Sequence, residues 1–133
     1  LNGEQISVSG RKWGEEARIV STSDPMHKPY PTDSPESILK IRSEGNRLFH
    51  LSGGAFKGML VAQGYADGFT FPYTSTHDIA AIKLIVEEAG GKVTNLSGHE
   101  QRYDEPINGA IVSNGKIHKE LTDIVSDYAY SGD

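Results

Sequence analysis

Short apolar runs recur along the chain, each bounded by glycine, proline or polar residues. Their length and their content of β-branched and aromatic residues are typical of strands. Five strands are predicted from this pattern, at residues 17–22, 47–51, 67–71, 92–96 and 109–113. A weaker alternation at residues 5–9 predicts a sixth, short edge strand.

Between the predicted strands, apolar residues recur at intervals of three and four, which is the period of a helix. Four helices are predicted, from residue 33 or 34 to 45 and over 55–63, 76–89 and 117–128. Four prolines between residues 23 and 35 predict a loop before the first of them. Alternation of strands and helices is typical of an α/β layer structure with a largely parallel or mixed sheet.

The helix predicted at 76–89 differs from an ordinary surface helix. It is apolar on most of its sides, and only Lys83, Glu87 and Glu88 are plainly polar. A helix with this composition is predicted to pack against a sheet and to have further cover on its outer side.

Two residues with side chains suited to chemistry, His77 and Asp78, stand at the amino end of this helix. In an α/β sheet, the strand ends that lead into helix amino ends form the ligand crevice, so Asp78 is a candidate metal ligand. A structural role is the more common one for such a pattern. Ser75 and Asp78 have the spacing of a capping box, in which both side chains satisfy amides of the first helical turn.

A glycine turn, Ser52-Gly53-Gly54-Ala55, lies between a predicted strand and a predicted helix. Glycines allow a ligand to approach the backbone, and the amides at a helix start favour an anion. A tight turn requires the same glycines, so the pattern alone favours the structural interpretation. The five histidines show no metal-ligand spacing, and most of them are expected at the surface or at edges. The pattern assigns no catalytic nucleophile or base.

Composition narrows the class of protein. The 133 residues suit one domain, and 13 Lys and Arg against 18 Asp and Glu give a net charge of −5 without a basic cluster. Duplex nucleic acid is therefore a disfavoured partner, whereas a phosphorylated small molecule remains compatible, because backbone amides or a metal supply positive charge locally.

Cysteine is absent from the sequence, which excludes disulfides and thiolate chemistry and fits a reducing compartment such as the cytoplasm. No apolar run is long enough to span a membrane, and no signal peptide opens the chain. The chain begins with Leu1 instead of Met, which we interpret as processing or as a piece of a longer protein.

Several segments together resemble the inositol monophosphatase family, over essentially the whole chain. The most specific match is to the family pattern W-D-x-A-A followed by I-V-x-E-A-G-G. The matching segments are DIAA at 78–81, LIVEEAGG at 84–91, SGGA at 52–55, VAQGYADG at 61–68, GAIVSN at 109–114 and LNGEQISVS at 1–9. Residues 17–23, ARIVSTS, are similar to the corresponding strand of the histidinol-phosphatase branch.

The resemblance implies that residues 1–133 form a single domain, an α/β/α sandwich, that is the C-terminal half of a Mg²⁺-dependent phosphatase. It implies that Asp78 is a metal ligand and that Ser52, Gly53, Gly54 and Ala55 contact the substrate. The first half would bring a metal-binding Glu and a D-P-x-D-G-T motif, neither of which occurs here. The isolated chain is thus expected to be inactive, and its partners to be a small phosphorylated substrate, the missing N-terminal half and a second copy of the parent.

Three positions depart from the family pattern. His77 replaces the usual Trp, Ser52 replaces a Gly, and Phe71 stands where inositol-specific members carry a Glu. A phenyl ring accepts no hydrogen bond from ring hydroxyls, so inositol phosphate, histidinol phosphate and sugar phosphates all remain open as substrates. The alternative function is a non-catalytic ligand-binding or assembly module that retains the fold.

Overall fold

A computed structural model describes residues 6–21, 35–50, 54–71, 76–101 and 109–128. Strands and helices alternate over most of this length. They are β1 (Arg18–Ser21), α1 (Pro35–Ser43), β2 (Arg47–His50), α2 (Gly54–Ala62), β3 (Gly68–Phe71), α3 (Thr76–Glu88), β4 (Lys92–Thr94), β5 (Ala110–Ser113) and α4 (His118–Tyr128). The five strands and four helices predicted from the apolar pattern are all present, with shifts at their ends.

The five strands form one mixed sheet in the order β2-β1-β3-β5-β4. Strand β1 pairs in parallel with both β2 and β3, whereas β5 is antiparallel to β3 and to β4. Four strands therefore run in one direction and β5 runs against them. This arrangement confirms the prediction of a mixed, largely parallel sheet.

Helices cover both faces of the sheet, and neighbouring strand residues point to opposite faces. Val20 and Val112 belong to a buried cluster with α2 and α3. Ile19 and Ile111, one position earlier in each strand, belong to a second cluster with α1 and α4. The molecule is thus a three-layer α/β/α sandwich with one apolar core on each side of the sheet.

The edge strand predicted at 5–9 is wrong for the residues described there. Residues 6–9 form no strand, and the Val8 amide donates to the carbonyl of Ala89 at 2.9 Å, beyond the end of α3. The segment runs past the end of α3 and does not join the sheet. Val8 packs, partly buried, against the apolar cluster that contains residues of α2 and α3. The proline-rich loop predicted before α1 lies almost wholly outside the described residues.

Two local features set where elements end. Strand β4 is shorter than predicted because the Asn95 side chain accepts from the amides of Ser97 and His99, both at 2.9 Å, which begins a turn. At the end of α3, a Cβ on Gly91 would lie 2.5 Å from the Ser113 carbonyl oxygen. Only glycine permits this close approach of the chain to β5.

Candidate functional site

The carboxyl ends of the parallel strands meet at one edge of the sheet, which we call the carboxyl edge. Ser21 pairs with His50 at the ends of β1 and β2, and Phe71 at the end of β3 pairs with Ala110, the first residue of β5. Along the chain, α1 follows β1, α2 follows β2 and α3 follows β3, so the amino ends of these three helices lie at this edge. The positive ends of three helices and the topology together make it the ligand-binding edge of such a fold.

The predicted site residues fall at this edge where the structure describes them. Gly54 and Ala55 open α2, and Asp78 is the third residue of α3. The two helices are neighbours, because a Cβ on Gly58 would lie 3.0 Å from the side chain of Ile82. The fold therefore places the start of α2, the helix that follows the glycine turn, close to the position of Asp78.

Other parts of the predicted site lie outside the described residues. Ser52 and Gly53 are among them, as is Ser75, the proposed capping partner. For Asp78 the structure describes the backbone position but not the side chain. Whether its carboxylate caps α3 or faces a ligand therefore stays a prediction.

Magnesium fits the donor chemistry of this edge, because an aspartate carboxylate is a hard oxygen ligand. Asp78 is the residue predicted from the family resemblance to hold it. Within the described ranges, no three His, Cys, Asp or Glu side chains gather into a metal site.

Lys57 is a buried charge near the same edge that the sequence analysis did not single out. It stands in the first turn of α2, only 1% of it is exposed, and its Nζ lies 5.4 Å from the centroid of the Phe69 ring. Its signal in the sequence is a lone lysine within an otherwise apolar helix. An ammonium over an aromatic face gains cation–π attraction, which offsets part of the cost of burial.

A second polar cluster lies at the opposite edge and has a structural role. Asp67 precedes β3, its side chain is fully buried, and it accepts from the Arg18 amide and from Arg11 Nε, both at 2.7 Å. Ser9 and Asn114 also donate to it. These bonds fasten the segment before β1 to the amino ends of the strands, far from the carboxyl edge.

His118 is an exception to the expectation that most of the histidines lie at the surface or at edges. It is buried, with Nε2 2.7 Å from Thr94 Oγ1 and Nδ1 2.7 Å from Ser113 Oγ. Burial, with a smaller contribution from the charge of Lys92, lowers the pKa of His118 to about 4. The ring is neutral at pH 7, and both nitrogens are engaged by hydroxyls, so it ties α4 to β4 and β5.

These features define a class of protein: a three-layer α/β/α domain whose helix amino ends gather at one sheet edge. The family model described as "Inositol monophosphatase family" matches residues 1–130. The chain therefore belongs to the inositol monophosphatase family, which confirms the resemblance in the sequence.

Individual relatives agree with this assignment. The chain is 33% identical over 127 residues to the fructose-1,6-bisphosphatase/inositol-1-monophosphatase of Thermotoga maritima, covering 96% of this chain and 46% of the relative. It is 32% identical over 87 residues to the histidinol-phosphatase of Mycobacterium tuberculosis, covering 65% and 29%. The solved structure of a Thermotoga maritima IMPase matches with a TM-score of 0.78 at 31% identity, covering 96% of this chain and 47% of that one.

The matches also show how much of each relative this chain covers. The chain spans about half the length of the Thermotoga relative, in sequence and in structure. Among the described residues, no helix is long and apolar enough to cross a membrane.

Proposed function

We propose that this chain is the C-terminal portion of a Mg²⁺-dependent phosphatase that hydrolyses a small phosphate monoester. The observation that carries the proposal is the match to a phosphatase family over residues 1–130, combined with the placement of Asp78 and the start of α2 at one sheet edge. Relatives named as phosphatases support the reaction class.

The residues of this edge would have two different roles, metal binding and substrate binding. Asp78 would be one ligand of Mg²⁺, which when bound activates water and neutralises charge on the phosphoryl group. The turn from Ser52 to Ala55 would receive the substrate, because free amides at the start of a helix bind phosphoryl oxygens. Neither role requires a nucleophilic side chain, in agreement with the absence of cysteine.

The proposed substrate class is defined by its phosphoryl group and not by the alcohol to which that group is esterified. Relatives are named for fructose bisphosphate, inositol phosphate, histidinol phosphate and NADP. Phe71 ends β3 at the carboxyl edge. Its phenyl ring offers no acceptor for sugar or inositol hydroxyls, so inositol monophosphate has no advantage over the other esters.

A second part of the phosphatase fold would complete the site and cover the α2–α3 layer. The outer side of α3 carries Leu84, which is 63% exposed, next to partly buried Ile85, whereas exposed α4 positions such as Lys119 and Asp123 are polar. This difference agrees with the further cover expected for α3, and the half-length match supports an N-terminal half as its source. A cytoplasmic homodimer of the complete protein belongs to the same proposal.

The alternative is a binding or assembly module that keeps the fold without the chemistry. Its support is the departure from the family pattern at His77 and Phe71, together with the missing first half. A direct assay separates the two functions. Phosphate release is measured with Mg²⁺ on a panel of phosphate monoesters, for this chain and for the longest protein that carries it.

We expect release by the longer protein alone, and its loss on Asp78→Asn, with Glu88→Gln in the last turn of α3 as the control. Release by neither protein would favour the binding module. Release by the isolated chain at the rate of the longer protein would contradict the idea that it is an incomplete half.

A further inference from the structure

Asn114 is followed by Gly115 at the link between β5 and α4, and this dipeptide has a chemistry of its own. The backbone nitrogen after an asparagine is able to attack the side-chain amide carbon, and glycine leaves that nitrogen unshielded because it has no side chain. The new bond joins the Gly115 nitrogen to Asn114 Cγ. The Cγ–Nδ2 bond breaks, and ammonia leaves with the proton of the Gly115 nitrogen. Water then opens the cyclic imide and gives aspartate or isoaspartate at position 114.

The folded protein holds both reacting groups away from this reaction. The Asn114 side chain is buried, its Nδ2 donates to the Arg11 carbonyl at 2.9 Å, and its Oδ1 accepts from the Lys116 amide at 2.9 Å. The Gly115 N–H donates to Ser113 Oγ at 2.9 Å, and the nitrogen must lose this proton to attack. The reaction therefore requires that these hydrogen bonds open first.

The surroundings of Asn114 suit an amide and not a carboxylate. Its Nδ2 faces three oxygens, which are the Arg11 carbonyl, Ser9 Oγ at 3.3 Å and Asp67 Oδ1 at 3.4 Å. Deamidation replaces this donor by a charged acceptor beside the fully buried carboxylate of Asp67. Two carboxylates this close repel each other, and burial leaves little screening. The product therefore favours release of residues 8–11, which we call the docked segment, from the amino ends of the strands.

We propose that Asn114–Gly115 is a latent deamidation site that the docked segment protects, and that its reaction releases the segment permanently. While the segment is docked, the reaction waits for a rare local opening. Once ammonia has left, the donor that faced three oxygens is gone. A transient opening is thereby converted into a lasting change of the molecule. The site lies at the opposite edge from Asp78, so this inference does not depend on the proposed phosphatase function.

The first measurement compares the rate of deamidation in the folded and in the unfolded state. The longest protein that carries this chain is incubated at neutral pH with and without guanidinium chloride, and mass spectrometry follows the peptide that contains Asn114. We expect the folded protein to react at least about a hundredfold more slowly. In the unfolded protein, the same dipeptide at Asn108–Gly109 gives the reference rate. Equal rates in the two states would refute protection, and no reaction in the unfolded protein would refute the site.

A pair of variants tests whether the docked segment is the source of the protection. Arg11→Met removes the bond to Asp67 at 2.7 Å, so we expect deamidation of the folded protein to be roughly tenfold faster. Arg47→Met is the matched control, because it breaks the exposed pair with Glu16 and leaves the segment docked. Should Arg11→Met not fold, Ser9→Ala removes another contact of the segment, and the same acceleration is expected. An unchanged rate in the folded variant would overturn the role of the segment.

A second pair of variants tests the consequence of the reaction. Asn114→Asp introduces the carboxylate directly, and we expect the equilibrium constant for unfolding to rise by roughly a hundredfold. Asn95→Asp is the matched control, because Asn95 Oδ1 accepts from the amides of Ser97 and His99 and an aspartate keeps both bonds. This control should be as stable as the unaltered protein. If Asn114→Asp is as stable as the control, the reaction releases nothing and the proposal fails.

Discussion

The Nε atom of Arg11 lies 2.7 Å from a carboxylate oxygen of Asp67, although the two residues stand 56 positions apart in the chain. The carboxylate is fully buried and also accepts from the Arg18 amide. One acidic side chain therefore joins the segment before β1, the start of β1 and the start of β3. Its partners reach the amino edge of the sheet from distant parts of the sequence.

Replacement of this carboxylate should cost the fold more than the loss of a surface ion pair. Asp67→Ala leaves the part-buried Arg18 amide without its acceptor and Arg11 without its carboxylate partner, so we expect a loss of about 3 kcal/mol in the free energy of unfolding. Glu16→Ala is the control, because it breaks the exposed Arg47–Glu16 pair and should cost less than about 0.5 kcal/mol. Urea unfolding of both variants measures the difference, and equal losses would refute a structural role for Asp67.

Buried His118 should make stability depend on pH. Its pKa is about 4 in the folded protein and near the ordinary value of 6.5 when unfolded, so between these values the unfolded chain binds more protons. Stability is then fully present above pH 6.5 and falls as the pH drops toward 4, by about 3 kcal/mol from this residue.

Urea unfolding at pH 7 and at pH 4.5 tests this dependence. His118→Gln keeps hydrogen-bonding capacity without titrating, so its loss of stability between the two pH values should be smaller than that of the unaltered chain. His99→Gln, at an exposed position, is the control and should leave the dependence unchanged. An identical pH dependence in His118→Gln would contradict the assignment.

Features that depend on neighbouring residues could be predicted from the sequence, whereas features that depend on tertiary packing could not. The helices and strands were predictable because an apolar period of two or about four needs only neighbouring residues. The carboxyl edge followed from their order and from the family resemblance. His118, Asp67 and Lys57 were missed because what surrounds each is decided by tertiary packing. For His118, the two hydroxyls come from β4 and β5, and one of them is 24 residues away.

The glycine pair after α3 gives a prediction about packing. A Cβ at Gly91 would lie 2.5 Å from the Ser113 carbonyl oxygen and 2.6 Å from Val86 Cγ1, so Gly91→Ala forces β5 and α3 apart. We expect a loss of about 2 kcal/mol. Gly10→Ala is the control, because nothing lies within 4 Å of the added methyl group. Thermal unfolding followed by circular dichroism compares the two, and a Gly91→Ala variant as stable as the control would show that the approach is not close.

The last prediction concerns the outer side of α3. An exposed leucine occurs on each helix layer, so one can serve as the control for the other. Leu84 on α3 is 63% exposed and Leu39 on α1 is 70% exposed, so substitution of either in this chain should change its stability little. If an N-terminal half covers α3, Leu84 becomes buried in the longer protein, and Leu84→Gln should then cost about 2 kcal/mol there. Leu39→Gln, on the layer whose α4 carries a polar outer side, should stay neutral in both proteins. Chemical unfolding of the four variants provides the comparison, and a neutral Leu84→Gln in the longer protein would mean that this surface stays open to solvent.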